Sequence, residues 1–252
     1  MMEEPFAAGD SLIHRIDPVC RVAFATLLSF VIALSENFPA LWAGLFFSLF
    51  LLFMARLNLK EVTIRMAAMW GFLLFLWILL PFTFEGEALY RVWKLSLTRE
   101  GFLLAARISL KSTAILAVFI SLVTTMNFTT LGYALNSLKI PEKLVHLLLL
   151  TYRYIFVIEQ EYRRLLRAAK IRNFNPKTDI HTYRTYAYFV GMLFVRASAR
   201  ADRVYQAMRC RGFKGKFYCL REFSFSRADW IWTGLLSGAV AGLIFLEYWH
   251  KQ

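Results

Sequence analysis

The sequence, 252 residues long, is poor in the groups that carry chemistry. Its four histidines, His14, His146, His181 and His250, are dispersed, and no apolar run holds a pair of acids, so the clustered donors of a metal site are missing. The phosphate-loop spacing GxxxxGK[ST] is also missing. Gly212-Phe213-Lys214-Gly215-Lys216 lacks that spacing and opens no helix after a strand, so the chain itself is not expected to hydrolyse ATP. A proton relay would need acids in mid-span, and an interfacial enzyme would need a Ser/His or acid constellation; neither is found. Three cysteines, Cys20, Cys210 and Cys219, form an odd, scattered set and are expected to be reduced thiols that pack as small apolar groups. The opening MMEEPFAAGDSLIHRIDP carries acids where a secretory leader has a basic head, and no apolar stretch precedes Val19. It reads as a retained cytoplasmic lead-in. No cofactor is expected to be bound by this chain.

What the chain has in abundance is apolar surface: 58% of residues are hydrophobic, 17% are aromatic, and the mean hydropathy is +0.49. Such a composition belongs to a membrane protein rather than a soluble domain. The net charge of +13 fits cytoplasmic loops beside apolar spans, and no basic-aromatic module for nucleic acid is recognised. Spans are expected at 22–34, 40–55, 66–82, 105–126 and 229–249. The turn Ser35-Glu36-Asn37-Phe38-Pro39 should face outward, and the loop with Arg56, Lys60 and Arg65 inward. Residues 83–100 are placed outside from their neighbours. Arg107 and Lys111 sit near the outer end of the fourth span, where they can snorkel as interfacial anchors. The last span, about 21 residues, makes about 30 Å of helix with Trp and Tyr at its ends. Five spans put the N-terminus inside and the C-terminus outside.

From Asn127 to Arg227 nineteen Lys and Arg face six acids, which assigns this block to the cytoplasm. The chain therefore divides into residues 1–126, a lead-in with four spans, 127–227, a cytoplasmic domain, and 228–252, the last span. The block contains one pattern twice. LLLLTYRYIFVIEQEYRRLLRAAKIRNF (147–174) and YAYFVGMLFVRASARADRVYQAMRCRGF (186–213) each run from apolar to basic and end in Arg followed by a helix stopper, Asn173 after Arg172 and Gly212 after Arg211. Two apolar runs here, 144–158 and 186–195, are too short for a crossing and interrupted or closely flanked by Arg, so they read as cytoplasmic or interfacial helices packed under the bundle, the longer of which can lie along the membrane lipid. Helices are expected near 129–138, 141–173 and 179–212, with Pro141 in the first turn of the second and Thr178 or Asp179 capping the third. The fold class is thus all-α: a polytopic membrane protein of about five transmembrane helices with a domain of cytoplasmic helices.

HRIDPVCRVAF (14–24) together with the two repeated segments resembles the transmembrane (T) component of energy-coupling factor importers, specifically the CbiQ family of cobalt importers. The resemblance spans most of the chain. The family's two Ala-Arg-Gly motifs correspond here to Ile171-Arg172-Asn173 and Cys210-Arg211-Gly212, both arginines kept and the small residue replaced. It implies a non-catalytic subunit in the cell inner membrane that joins two cytoplasmic ATPase subunits to a membrane-embedded substrate-capture subunit. Each Arg would enter a groove on one ATPase, with Ala168, Ala169 and Ala207 keeping the helix surface low. The implied cargo is a divalent metal ion, cobalt first. Nickel or a vitamin remains open within that class, and a membrane-embedded enzyme or a binder of anionic lipid from other classes. The plain alternative for the two arginines is ordinary inside charge.

Overall fold

The computed structural model describes residues 16–83, 88–92, 95–213 and 227–249. The lead-in before Ile16, His14, Lys94, the acids Glu85 and Glu87, Lys214, Lys216, Cys219, Arg221 and His250 lie outside the described residues. The chain is an all-α polytopic membrane protein with eight helices among those residues: α1 (Pro18–Leu34), α2 (Phe38–Met54), α3 (Leu59–Thr83), α4 (Arg99–Leu122), α5 (Phe128–Ser137), α6 (Glu142–Ile171), α7 (Ile180–Cys210) and α8 (Arg227–Trp249). A short antiparallel hairpin, β1 (Ala88–Val92) with β2 (Leu95–Thr98), joins α3 to α4, where sequence reading expected only an outer connection.

Among the described residues, three helices are long and apolar enough to cross a membrane: Lys60–Thr83, Arg99–Leu122 and Asp229–Trp249. The apolar helices α1 and α2 have 17 residues each, about 25 Å, the short end of the crossing range. Several boundaries differ from expectation because helices run past the apolar run that marks them. Lys60 and Arg65 lie inside α3 rather than in the loop before it. That loop shrinks to residues 55–58, with Arg56 at φ 49 making the left-handed turn. The fourth span starts at Arg99 rather than 105 and stops at Leu122 rather than 126.

The described residues fall into two compact units, one from the part before residue 139 together with α8, and one from residue 139 to 213. In the first unit α4 packs against α1, α2 and α3, with Ala114, Val118 and Leu122 meeting Ala25, Leu28 and Ile32 of α1, Leu51 of α2, and Leu236 and Leu243 of α8 in one core. Small residues on α4 allow this closeness. A Cβ on Gly101 would stand 2.7 Å from the Leu80 carbonyl oxygen and 2.9 Å from Pro81 Cα. α5 belongs to this unit and packs on α1.

Polar bonds fix the direction of the helices. The Asp17 side chain accepts from Val19 N at 2.7 Å, capping α1 ahead of Pro18, while Asp17 N donates to Asp229 Oδ1 of α8 at 2.9 Å. Arg21, 3% exposed, donates to Leu122 O at the end of α4 (3.2 Å) and to the Thr125 hydroxyl. At the opposite end, Glu36 N and Asn37 N donate to the Glu247 carboxylate, and Asn37 Nδ2 donates to Glu247 O. α1 and α8 therefore run parallel, with α4 antiparallel to both. Arg107 and Lys111 are held by the α1–α2 end: the guanidinium lies 5.4 Å from the Phe38 ring, and Lys111 Nζ donates to Ala33 O at 2.8 Å. Interfacial charges here double as ties between helix ends.

Candidate coupling site

α6 and α7 form the second unit. They are amphipathic helices whose polar faces carry the basic block and whose apolar faces stay uncovered, with Leu147 60% and Phe194 76% exposed. α6 has 30 residues and α7 has 31, about 45 Å each. Pro141 takes the N-cap of α6 and Asp179 that of α7, the latter without a side-chain capping bond. In its place, Lys177 N donates to the Thr182 hydroxyl inside the first turn.

The two helices end in the same backbone structure. In α6, Arg172 is the C-cap (φ −84, ψ 19), Asn173 turns left-handed at φ 63, Phe174 N donates to Ala169 O at 3.0 Å, and Asn173 N donates to Lys170 O at 3.0 Å. In α7, Arg211 is the C-cap (φ −88, ψ 12), Gly212 turns at φ 79, Phe213 N donates to Met208 O at 3.0 Å, and Gly212 N donates to Arg209 O at 3.0 Å. Both are Schellman closures, which use up carbonyls of the last turn by folding the chain back on itself. The consequence is positional: each Arg is the last residue before the chain reverses, so its side chain leaves from an exposed helix tip. Ile171, Arg172, Asn173, Cys210, Arg211 and Gly212 are all exposed, as are Ala168 and Ala207, with Ala169 half-buried. Each closure is built from its own helix, so the structure presents two separate tips rather than one assembled site. A guanidinium at a helix C-terminus is favoured by the helix dipole and offers a planar fork to carboxylates or carbonyls. Cys210 is a free, exposed thiol and Cys20 a free, half-buried one.

Two features were not foreseen. α6 and α7 enclose a groove of about 780 Å³, walled by Leu147, Leu150, Ile155, Leu193, Val204 and Met208. Beside it, Glu161 of α6 accepts a hydrogen bond from Arg196 of α7 and lies 3.5 Å from Arg164. The bond from Arg196, aided by the charges of Arg164 and Arg200, holds the Glu161 carboxyl below the usual carboxylate range. Its signal in the sequence is rarity: it is one of six acids in the basic block. The turn between the helices is held by Phe174, whose ring lies 6.0 Å from Tyr186, 6.1 Å from Phe189 and 6.3 Å from His181.

The chain is similar to the energy-coupling factor transporter transmembrane protein EcfT of Thermanaerovibrio acidaminovorans, 25% identical over 96% of this chain and 94% of the relative. It is also similar to the EcfT proteins of Brevibacillus brevis (26%; 83% of each chain) and Streptococcus thermophilus (27%; 83% of this chain, 84% of the relative). The family model described as cobalt transport protein, CbiQ, matches residues 9–219, most of the chain and both capped helices, so this protein belongs to the CbiQ family and is the transmembrane component of an energy-coupling factor transporter.

Proposed function

We propose that this chain couples ATP hydrolysis in two cytoplasmic ATPase subunits to uptake of a divalent metal ion, cobalt first, through a membrane-embedded capture subunit. The observation that carries this reading is the twinned closure of α6 and α7, which gives two like tips, each with an arginine at the point of chain reversal. Two like tips suit two like partners. The arginine of each tip enters a groove of one ATPase and pairs with carboxylates or carbonyls there, while Ala168, Ala169 and Ala207 let the surfaces approach. Ile171 and Cys210, in place of the family's small residue, form the apolar margin of each contact. The membrane face of the α6/α7 groove, apolar along its walls, seats the capture subunit, and the remaining exposed apolar residues lie against membrane lipid of the inner membrane. The chain supplies no catalytic group and binds no cofactor; it transmits motion.

The description of the family as cobalt transport supports cobalt over nickel or a vitamin. The test is uptake of radioactive cobalt by cells expressing the whole complex. Wild type should accumulate cobalt against excess cold nickel, and the Arg172→Ala/Arg211→Ala variant should fall to background. Uptake by that double variant at the wild-type rate would overturn the coupling role, and preferential competition by nickel would reassign the metal.

A further inference from the structure

We propose that Glu161 is a positioning residue whose ion pair with Arg196 ties α6 to α7, setting together the width of the apolar groove and the place of Arg211 relative to Arg172. The inference rests on the reading of the two arginines as ATPase contacts and of the groove as the seat of the capture subunit.

Three ion pairs occur among the described residues of this unit. Glu159–Arg163 and Glu161–Arg164 each stay within one helix, and only Glu161–Arg196 crosses from α6 to α7. Its carboxylate is 13% exposed, well below the 46% of Glu159, so the acid is better shielded from water than that of the Glu159 pair. The shielded member is the carboxylate, since the Arg196 side chain is 47% exposed; fully exposed pairs contribute little.

Position gives the pair its leverage. The aromatic cluster around Phe174 closes one end of the α6/α7 pair at the turn. Glu161 stands ten residues back from Ile171, about 15 Å along α6, and Arg196 sixteen residues on from Ile180, about 24 Å along α7. Beyond the tie the two arms run on to the open end of the pair. The groove opens from the tie, whose Glu161 and Arg196 help line it, along the first half of α6 (from Lys143) and the second half of α7 (to Met208). Arg211 sits at the far end of the α7 arm, while Arg172 sits at the closed end. A splay of 10° hinged at the turn moves the Arg211 end by about 8 Å, taking α7 as about 46 Å long. Any such splay widens the groove and carries Arg211 away from Arg172 in one motion. With the tie made, both distances are fixed; with it broken, they vary together.

The experiment measures the arm separation directly, by pulsed electron-spin distance measurement on the full chain in nanodiscs. One spin label sits on the native Cys210 and one on Leu144→Cys at the groove mouth, with Cys20 and Cys219 changed to Ser. The parent should give a narrow distribution. Glu161→Gln and Arg196→Gln should each broaden it at least twofold, their combination should be no broader than either, and Glu161→Arg with Arg196→Glu should restore the narrow peak. An unchanged distribution in both single variants overturns the tie, as does a double variant that adds the two effects. A parallel capture of the ATPase by unlabelled chain separates the two ideas. Loss of capture with Arg172→Ala but unchanged distances with Glu161→Gln removes the tie alone, whereas responsive distances with arginine-independent capture remove the ATPase reading alone.

Discussion

Gly212 offers the sharpest test of whether the helix closure itself, and not just the charge, carries partner binding. It sits at φ 79, a left-handed backbone, and a Cβ built there meets nothing within 4 Å. Replacing it with Ala therefore creates no clash with any neighbour, and the whole effect is backbone strain. An L side chain in that region costs about 1–2 kcal/mol. The chain either bears the strain or unwinds its last turn, releasing the Phe213 N to Met208 O bond and letting Arg211 swing. If Arg211 must be held at the tip, binding of the ATPase weakens by about 5- to 30-fold, since 1.4 kcal/mol is a factor of about ten. Asn173 at φ 63 gives the reverse control. Asn173→Gly relieves strain already present, so binding should be unchanged or modestly tighter. The assay is biolayer interferometry of the purified ATPase against the chain in nanodiscs. Affinity at the Arg211 tip within twofold of wild type in Gly212→Ala, with Arg211→Ala losing about half of the bound ATPase, would refute the claim that the closure positions the arginine.

Three further outcomes are expected. Gly101→Ala forces a Cβ into the Leu80 carbonyl and Pro81, which are backbone and cannot rotate away, so it should destabilise α3–α4 packing by about 1–3 kcal/mol, whereas Gly238→Ala, which meets nothing within 4 Å, should be near neutral. Thermal unfolding in detergent separates the two. Arg21→Met removes charged donors from Leu122 O and the Thr125 hydroxyl in a buried setting and should cost about 2–3 kcal/mol in the same measurement. The α6–α7 tie should persist from neutral pH down to the ordinary carboxylate range, about pH 4.3 for Glu, because the folded-state pKa of Glu161 is depressed; its contribution is present above that range and lost only as pH falls through the lower folded value. The charged groups that face Glu161 are Arg164, Arg196 and Arg200, and a label distribution that broadens between pH 7 and pH 5 would contradict this.

Local features of the fold were legible, and tertiary ones were not. The ends of α6 and α7 could be read because Asn173 and Gly212 tolerate the left-handed conformation that a helix needs to stop, and helices expected at 141–173 and 179–212 are found at Glu142–Ile171 and Ile180–Cys210. The apolar runs placed α1, α2, α3, α4 and α8, but not their starts. Arg99, Glu100, Lys60 and Arg65 are acceptable helix formers that extend a span beyond the hydrocarbon without changing its hydropathy. The hairpin 88–98 leaves little trace in the sequence because strands of five and four residues are too short for alternation to mark them. Arg107 and Lys111 looked like lipid-facing anchors, since nothing local reveals that Phe38 and Ala33 come within reach. The same holds for Glu161 and Arg196, 35 residues apart. The first helix, expected from 22, starts at Pro18 because Asp17 caps it and Pro18 suits its first turn, while the bond from Asp17 N to Asp229 belongs to the fold.

The central claim is that Arg172 and Arg211 are the two contacts through which this chain holds its ATPases. The most direct measurement is capture of the purified ATPase by the detergent-solubilised chain, comparing wild type with Arg172→Ala, Arg211→Ala and the double variant, and with Arg184→Ala and Arg221→Ala as charge-matched controls. Each single variant should lose about half of the captured ATPase and the double variant nearly all of it, while both controls capture as wild type does. Equal behaviour of all five variants would contradict the account and leave the two arginines as ordinary cytoplasmic charge.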